Sequence, residues 1–197
     1  MFRRNRIPSG KLGIDSVSKE RQTILLSGIK IRNLKMSSVN KNLSQVEGSE
    51  IPNGGSMRIG IVVAEWNILI TGALRDGAIK TLLENGVDEK NIVVKYVPGS
   101  FELTMGAQFL CEDKSIDGVI TLGCVIQGET RHFDFICDAV AHGVTNVSLK
   151  YNKPVIFGVL TPNTLEQAQD RAGGKHGNKG DEAAVTALKM IALQKGL

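Results

Sequence analysis

From residue 57 onward the chain alternates between two hydrophobic rhythms. "MRIGIVVAEW" (57–66), "NIVVKYV" (91–97), "DGVITLGCVI" (117–126) and "PVIFGVL" (154–160) are apolar at nearly every position. That is the pattern of strands covered on both faces. Between them, "ILITGALRDGAIKTLLENG" (68–86), "FELTMGAQFLCED" (101–113) and "HFDFICDAVAHGVTNVSLKY" (132–151) repeat their apolar residues at helical spacing. Gly86 closes the first of these as a helix stop. "TPNTLEQAQDRAG" (161–173) opens on Thr161 and Pro162, which read as cap and first-turn residues. "DEAAVTALKMIALQKG" (181–196) predicts a final helix.

Such alternation predicts a parallel sheet with right-handed crossovers. The expected class is α/β, a flavodoxin-like three-layer α/β/α sandwich with a four-stranded parallel sheet. Residues 1–56 break the rhythm. Their only apolar piece is "QTILLSGIKI", and they end in the linker-like "SQVEGSEIPNGGS". The expected division is a basic, flexible extension over 1–56 and a folded domain over 57–197. Three readings of the extension stand side by side: natural flexible sequence, a targeting peptide beginning "MFRRNR", or residues upstream of a true start at Met36. Asp15, Glu20 and the lack of an amphipathic arginine face count against a transit peptide.

Charge follows the same division. Nine of the 24 basic residues and two of the 20 acidic ones fall in residues 1–35, so the net charge of +4 belongs to the extension. The remainder is net acidic. No aromatic residues are interleaved with the basic ones to stack on bases, so nucleic acid is not an expected partner. No apolar run approaches the ~20 residues that cross a bilayer, so no membrane is expected. Cys111, Cys124 and Cys137 are odd in number, lie in apolar contexts and lack metal-ligand spacing. They read as free thiols in a reducing compartment. The expected location is the cytoplasm, or an organelle if residues 1–35 are a transit peptide.

In open α/β sheets ligands lie beyond the carboxyl ends of the strands, so the residues following each strand matter most. After the first come Trp66 and Asn67. Trp66 is a packing residue or a stacking surface for a ring; Asn67 offers a donor and an acceptor. After the second comes "VPGSFELT", with Ser100 at an expected helix N-cap. The N–H groups of Ser100, Phe101 and Glu102 face a ligand if not used locally. After the third comes "GCVIQGETRHFDF". There Gly128, Glu129 and Thr130 are expected to begin a helix, a natural phosphate site, with His132 just inside it as a proton donor or acceptor. The fourth strand holds Phe157, most simply a core residue. Beyond it, "DRAGGKHGNKGDEAA" carries Arg171, Lys175 and Lys179 among glycines. That segment reads as a solvated basic loop or as an anion clamp, with Arg171 its bidentate donor. It is not a P-loop.

"VVAEWN", "VPGSFEL", "GCVIQGETRHFDF", "PVIFGVLT" and "DRAGGKHGNKGDEAA", in this order and spacing, resemble the 6,7-dimethyl-8-ribityllumazine synthase family of riboflavin biosynthesis. The resemblance runs from about Arg58 to Leu193. It implies two small-molecule substrates, 5-amino-6-(D-ribitylamino)uracil and 3,4-dihydroxy-2-butanone 4-phosphate, and neither metal nor organic cofactor. By residue, it implies that Trp66 stacks on the pyrimidine, with Asn67 beside it. Ser100, Phe101 and Glu102 would hold the ribityl chain and ring edge, and Cys124, Val125 and Ile126 would line the pyrimidine pocket. Glu129 and Thr130 would bind the butanone phosphate, and His132 would move the proton. Phe157 and Arg171 would reach in from a neighbouring subunit, Arg171 to the phosphate, with Lys179 a further contributor. Trp66 stands where many members have Phe, and Gln127 where a basic residue is common. Arg131 replaces a small or uncharged residue, and either holds phosphate or lowers the histidine pKa.

The resemblance further implies a homo-oligomer, a pentamer with shared sites or a 60-subunit icosahedral shell, with riboflavin synthase as a functional partner. Two other classes use such a scaffold: a non-catalytic flavin- or lumazine-binding module, and a protein acting mainly as a cage. His132 together with Arg171 speaks against the first, because binding alone needs no acid or base.

Overall fold

A computed structural model describes residues 50–196. Residues 1–49 of the expected 1–56 extension, and Leu197, lie outside them. Four parallel strands form the sheet: β1 (Ile59–Ala64), β2 (Ile92–Val97), β3 (Gly118–Cys124) and β4 (Val155–Leu160), in the order β2-β1-β3-β4. The registers are unbroken, with Ile59 facing both Ile92 and Gly118, and Val119 facing Val155. β1 and β3 are central and buried at every residue, which is why they are apolar but for Thr121, whose hydroxyl donates to Ile156 O at 2.8 Å. β2 is an edge strand and carries Lys95 and exposed Tyr96, polar features that discourage pairing with a foreign strand. The fold is the expected flavodoxin-like α/β sandwich.

Five α-helices of the described residues complete the layers: α1 (Ile68–Glu84), α2 (Leu103–Glu112), α3 (His132–Tyr151), α4 (Leu165–Asp170) and α5 (Lys179–Lys195). Side chains alternate across a strand, so β1 feeds two cores. Ile59, Ile61 and Val63 pack with Leu74, Ala78 and Leu82 of α1 and with Ala184, Leu188 and Ile191 of α5. Val62 and Ala64 pack on the other face with Leu103 and Ala107 of α2 and with Val140 and Val144 of α3. None of the described helices is long and apolar enough to cross a membrane.

The helix ends show where local sequence rules hold. Gly86, at φ 89°, follows α1. Its N–H donates to Leu83 O and the N–H of Val87 to Leu82 O, both at 3.0 Å. That double bond pattern is a Schellman stop, and it needs the positive φ that glycine adopts without strain. α5 begins two residues before the expected 181, because Asn178 Oδ1 accepts from Gly180 N at 2.7 Å. The expected cap of α4 is corrected. Thr164 holds that place, accepting from Gln167 N at 3.3 Å, while Gln167 Oε1 accepts from Asn163 N at 2.9 Å. This reciprocal pairing outcompetes Thr161 and Pro162, and Pro162 instead lends its carbonyl to Gln127 N. The glycine-rich segment forms a short antiparallel hairpin, β5 (Ala172–Gly174) and β6 (Gly177–Asn178), rather than a loop.

Candidate active site

The strand order places a crevice between β1 and β3. From β1 the chain steps to β2 on one side, and later elements step to β3 and β4 on the other. Crossovers leaving in opposite directions open a gap at the carboxyl ends of the two central strands. Asn67 sits in that gap. It adopts a left-handed conformation (φ 61°, ψ 43°) at the start of α1. Its Nδ2 donates to Cys124 O at 3.0 Å. Its own carbonyl accepts from the N–H groups of Ile70 and Thr71. Asn67 thus ties the exit of β1 to the exit of β3.

Trp66 precedes it and is 73% exposed, which removes the packing reading within one chain. Its backbone N–H donates to Pro98 O at 3.1 Å, and Glu65 N donates to Val97 O at 2.8 Å. These bonds hold the exits of β1 and β2 side by side. Phe101, also exposed, stands on the β2 side.

Ser100 corrects an expectation. α2 starts at Leu103, and the residue at its N-cap position, Glu102, makes no side-chain cap bond. Ser100 belongs instead to a turn in which Leu103 N donates to Ser100 O. Its hydroxyl faces inward, is buried and has no hydrogen-bond partner. A methyl group on Gly123 would sit 2.7 Å from that oxygen, so only glycine at 123 lets this turn lie against β3. An unpaired buried hydroxyl costs free energy unless something else bonds it. Among the described residues, the N–H groups of Ser100, Phe101 and Glu102 also donate to no protein acceptor.

The stretch after β3 corrects another. Gly128, Glu129 and Thr130 do not begin the helix; α3 starts at His132 with Arg131 at its cap position. Thr130 Oγ1 accepts from His132 N at 3.4 Å, and the whole stretch from Gln127 to His132 is exposed. A methyl group on Gly128 would meet nothing within 4 Å. Arg131 is paired with Asp134 at 3.4 Å and lies over the Phe135 ring at 6.0 Å. Cys124, Val125 and Ile126 run from the end of β3 along the crevice. Burial pushes the Cys124 thiol up to about 11, so it is neither a nucleophile nor a base at neutral pH. The Val125 N–H is taken by Leu160 O.

The rim therefore collects Trp66, Asn67, Ser100, Phe101, Glu102, Cys124, Val125, Ile126, Glu129, Thr130 and His132 in one chain. Phe157, Arg171 and Lys179 make their contacts with other groups. Phe157 lies within β4 and lines a groove of about 280 Å³ between that strand and α3, with Ala141, Val144 and Leu149. Arg171 Nη2 donates to Glu182 Oε1 at 2.7 Å, and Lys179 Nζ to Glu182 Oε2 at 3.0 Å. Lys175 is paired with Asp170 at 3.0 Å. Glu182 was not singled out in the sequence. The signal was the i,i+3 spacing of Lys179 and Glu182, masked because an acid in a helix's first turn is favoured anyway.

Residues 56–195 match a family profile described as 6,7-dimethyl-8-ribityllumazine synthase. The chain belongs to the 6,7-dimethyl-8-ribityllumazine synthase family. It is 65% identical over 157 residues to the 6,7-dimethyl-8-ribityllumazine synthase of Cytophaga hutchinsonii, covering 80% of this chain and 98% of that protein. It is 55% identical to the protein of the same name from Parabacteroides distasonis, over 79% of this chain and 98% of the relative. A third, from Porphyromonas gingivalis, is 54% identical over 81% of this chain and 99% of its own length. As a lumazine synthase family member the chain is a transferase of riboflavin biosynthesis. Its crevice between β1 and β3 is the candidate site for that activity.

Proposed function

We propose that residues 57–197 condense 5-amino-6-(D-ribitylamino)uracil with 3,4-dihydroxy-2-butanone 4-phosphate to give 6,7-dimethyl-8-ribityllumazine, phosphate and water. The observation that carries this reading is the unpaired polar lining of the crevice between two exposed aromatics. The N–H groups of 100–102 lack protein partners among the described residues and lie beside exposed Trp66 and Phe101. A flat heterocycle with a polyhydroxyl tail satisfies both surfaces. The ring stacks on Trp66, and the tail takes the orphaned polar groups, with Glu102 accepting from its hydroxyls.

The phosphate end of the second substrate belongs with the exposed turn at Gly128, Glu129 and Thr130, ahead of α3. Its N–H groups have no protein acceptor among the described residues, and the helix start adds a favourable field. His132 then stands beside the reacting carbons. The substrate's amine attacks the butanone carbonyl and loses water to form an imine. Removal of a C–H proton expels phosphate, and a second condensation closes the ring. The nucleophile is the substrate's own, so the chain supplies alignment, charge and one proton shuttle.

Within one chain the rim lacks Phe157, Arg171 and Lys179. A neighbouring subunit brings Phe157 and Arg171 to it, Arg171 to the phosphate, in a pentamer or a shell of twelve pentamers. Lys179 serves the pyrimidine side. Riboflavin synthase is the partner that would consume the product, and the cytoplasm is the expected compartment. The test is direct. The purified chain is mixed with both substrates, and lumazine absorbance and phosphate release are followed. Product forming in step with phosphate is expected. Absence of product from folded protein would leave a binding or cage role.

A further inference from the structure

Glu182 is an almost fully buried carboxylate in the first turn of α5. Each of its oxygens is taken by a different cation. Oε1 accepts from Arg171 at 2.7 Å and Oε2 from Lys179 at 3.0 Å. The backbone repeats the link, because Lys179 N donates to Arg171 O at 2.9 Å. Arg171 Nη1 also donates to His176 O at 2.5 Å. The two cations are therefore not placed independently. One carboxylate sets both.

The carboxylate is itself well anchored. Its helix begins at Asn178, whose Oδ1 accepts from Gly180 N at 2.7 Å and whose Nδ2 donates to Ala73 O of α1 at 2.9 Å. A methyl group on Gly180 would lie 1.8 Å from Leu74 O, so α5 and α1 touch backbone to backbone at this point. The helix dipole alone explains an acid in a first turn. It does not explain why that acid is withdrawn from water with both oxygens bonded. Exposed ion pairs fix little; a buried carboxylate must keep its partners. Of the five guanidinium N–H groups, two are used here, and Lys179 uses one of its three. Both cations keep donors for a ligand.

We propose that Glu182 is a positioning residue shared by the two halves of the site: it fixes Arg171 for the substrate phosphate and Lys179 for the pyrimidine substrate, touching neither. The proposal rests on the roles given to those cations above. It has a sign that simple charge does not share. Removing the carboxylate makes the locality more positive, so charge alone would tighten binding of the phosphate substrate. Loss of positioning weakens it.

The experiment is steady-state kinetics on the full-length protein, with KM resolved for each substrate. Glu182→Gln keeps the volume and is expected to raise both KM values about tenfold, with a smaller fall in kcat. Arg171→Ala is expected to raise KM for the phosphate substrate only, and Lys179→Ala for the pyrimidine only. In the Arg171→Ala background, Glu182→Gln should no longer affect the phosphate substrate's KM. If Glu182→Gln does not fold, Glu182→Asp keeps the charge but cannot span both cations, and the same double rise is expected. An unchanged or lowered KM for the phosphate substrate in a folded Glu182 variant overturns the proposal. So does a Glu182→Gln effect that persists undiminished without Arg171. If instead the Arg171 and Lys179 variants leave their own KM values unchanged, the roles assigned to the cations fail, and that outcome is separable from the first.

Discussion

The side-chain amide of Asn67 donates to the carbonyl of Cys124 at 3.0 Å, across 57 residues of sequence. The bond joins the exits of the two central strands where the crossovers diverge. Asn67 is also left-handed, with φ 61°, a conformation that costs most residues about 1–2 kcal/mol and that asparagine and glycine tolerate. Two substitutions separate these roles. Asn67→Gly removes the bond and keeps the backbone freedom; the unpaired Cys124 carbonyl is expected to cost about 1–3 kcal/mol. Asn67→Ala loses both and should unfold at a lower temperature still, by about 1 kcal/mol. Equal melting temperatures for the two variants would show that the left-handed geometry carries no stability.

Gly180 and Gly128 predict opposite outcomes for the same substitution. A methyl group on Gly180 meets Leu74 O at 1.8 Å, while one on Gly128 meets nothing within 4 Å. Gly180→Ala must push α5 off α1 and is expected to cost more than about 3 kcal/mol, or to prevent folding. Gly128→Ala should leave the denaturant midpoint unchanged and raise KM for the phosphate substrate by crowding the turn. A Gly128 variant that unfolds easily but binds normally would remove that turn from the site.

These cases show which parts of the molecule a linear reading reaches. β1 and β3 were legible because burial on both faces leaves almost only apolar residues, and α3 matched its expected range of 132–151. The rim residues after the strands were legible because topology fixes where strand ends meet. The failures share a cause. The caps of α2 and α4 turn on competition among neighbouring hydroxyls and amides. Ser100 lost its cap role because Gly123, distant in sequence, admits it against β3. Glu182 was missed because two cations converge on it only after the hairpin β5–β6 folds back. Phe157 and Arg171 make their contacts away from the rim within one chain, and their place in the site rests on the resemblance and on the proposal that another copy brings them there.

His132 is exposed at the start of α3, and among the described residues its one bond involving a side chain runs from its own backbone N–H to Thr130 Oγ1. It carries no packing role, so His132→Ala should melt like the parent protein. Its turnover should fall by about 10²-fold without vanishing, at the low end of what a general acid or base contributes. Alignment of the two substrates supplies the larger share and survives the substitution. Near-total inactivity with intact folding and substrate binding would overturn the view that positioning dominates.

The thiols give a pH dependence with a definite sign. Burial pushes Cys124 up to about 11 from 9.0, and Cys111 likewise, with Lys153 opposing the shift at Cys111. A raised value means that the folded chain keeps protons that the unfolded chain releases at alkaline pH. The contribution to stability is therefore complete below about pH 9 and is lost as pH rises through about 11. Urea midpoints should be level near pH 8 and fall across that window, and Cys124→Val should make the fall shallower. Cys137 is only half-buried on α3, with its thiol raised first by burial and then by Asp134. Iodoacetamide near pH 8, read by peptide mass, should modify Cys137 first and leave Cys111 and Cys124 until the chain opens. Labelling of Cys124 as fast as Cys137 in the folded protein would mean that the end of β3 is not closed to water, and the Asn67 bond that defines the crevice would have to be weaker than its geometry implies.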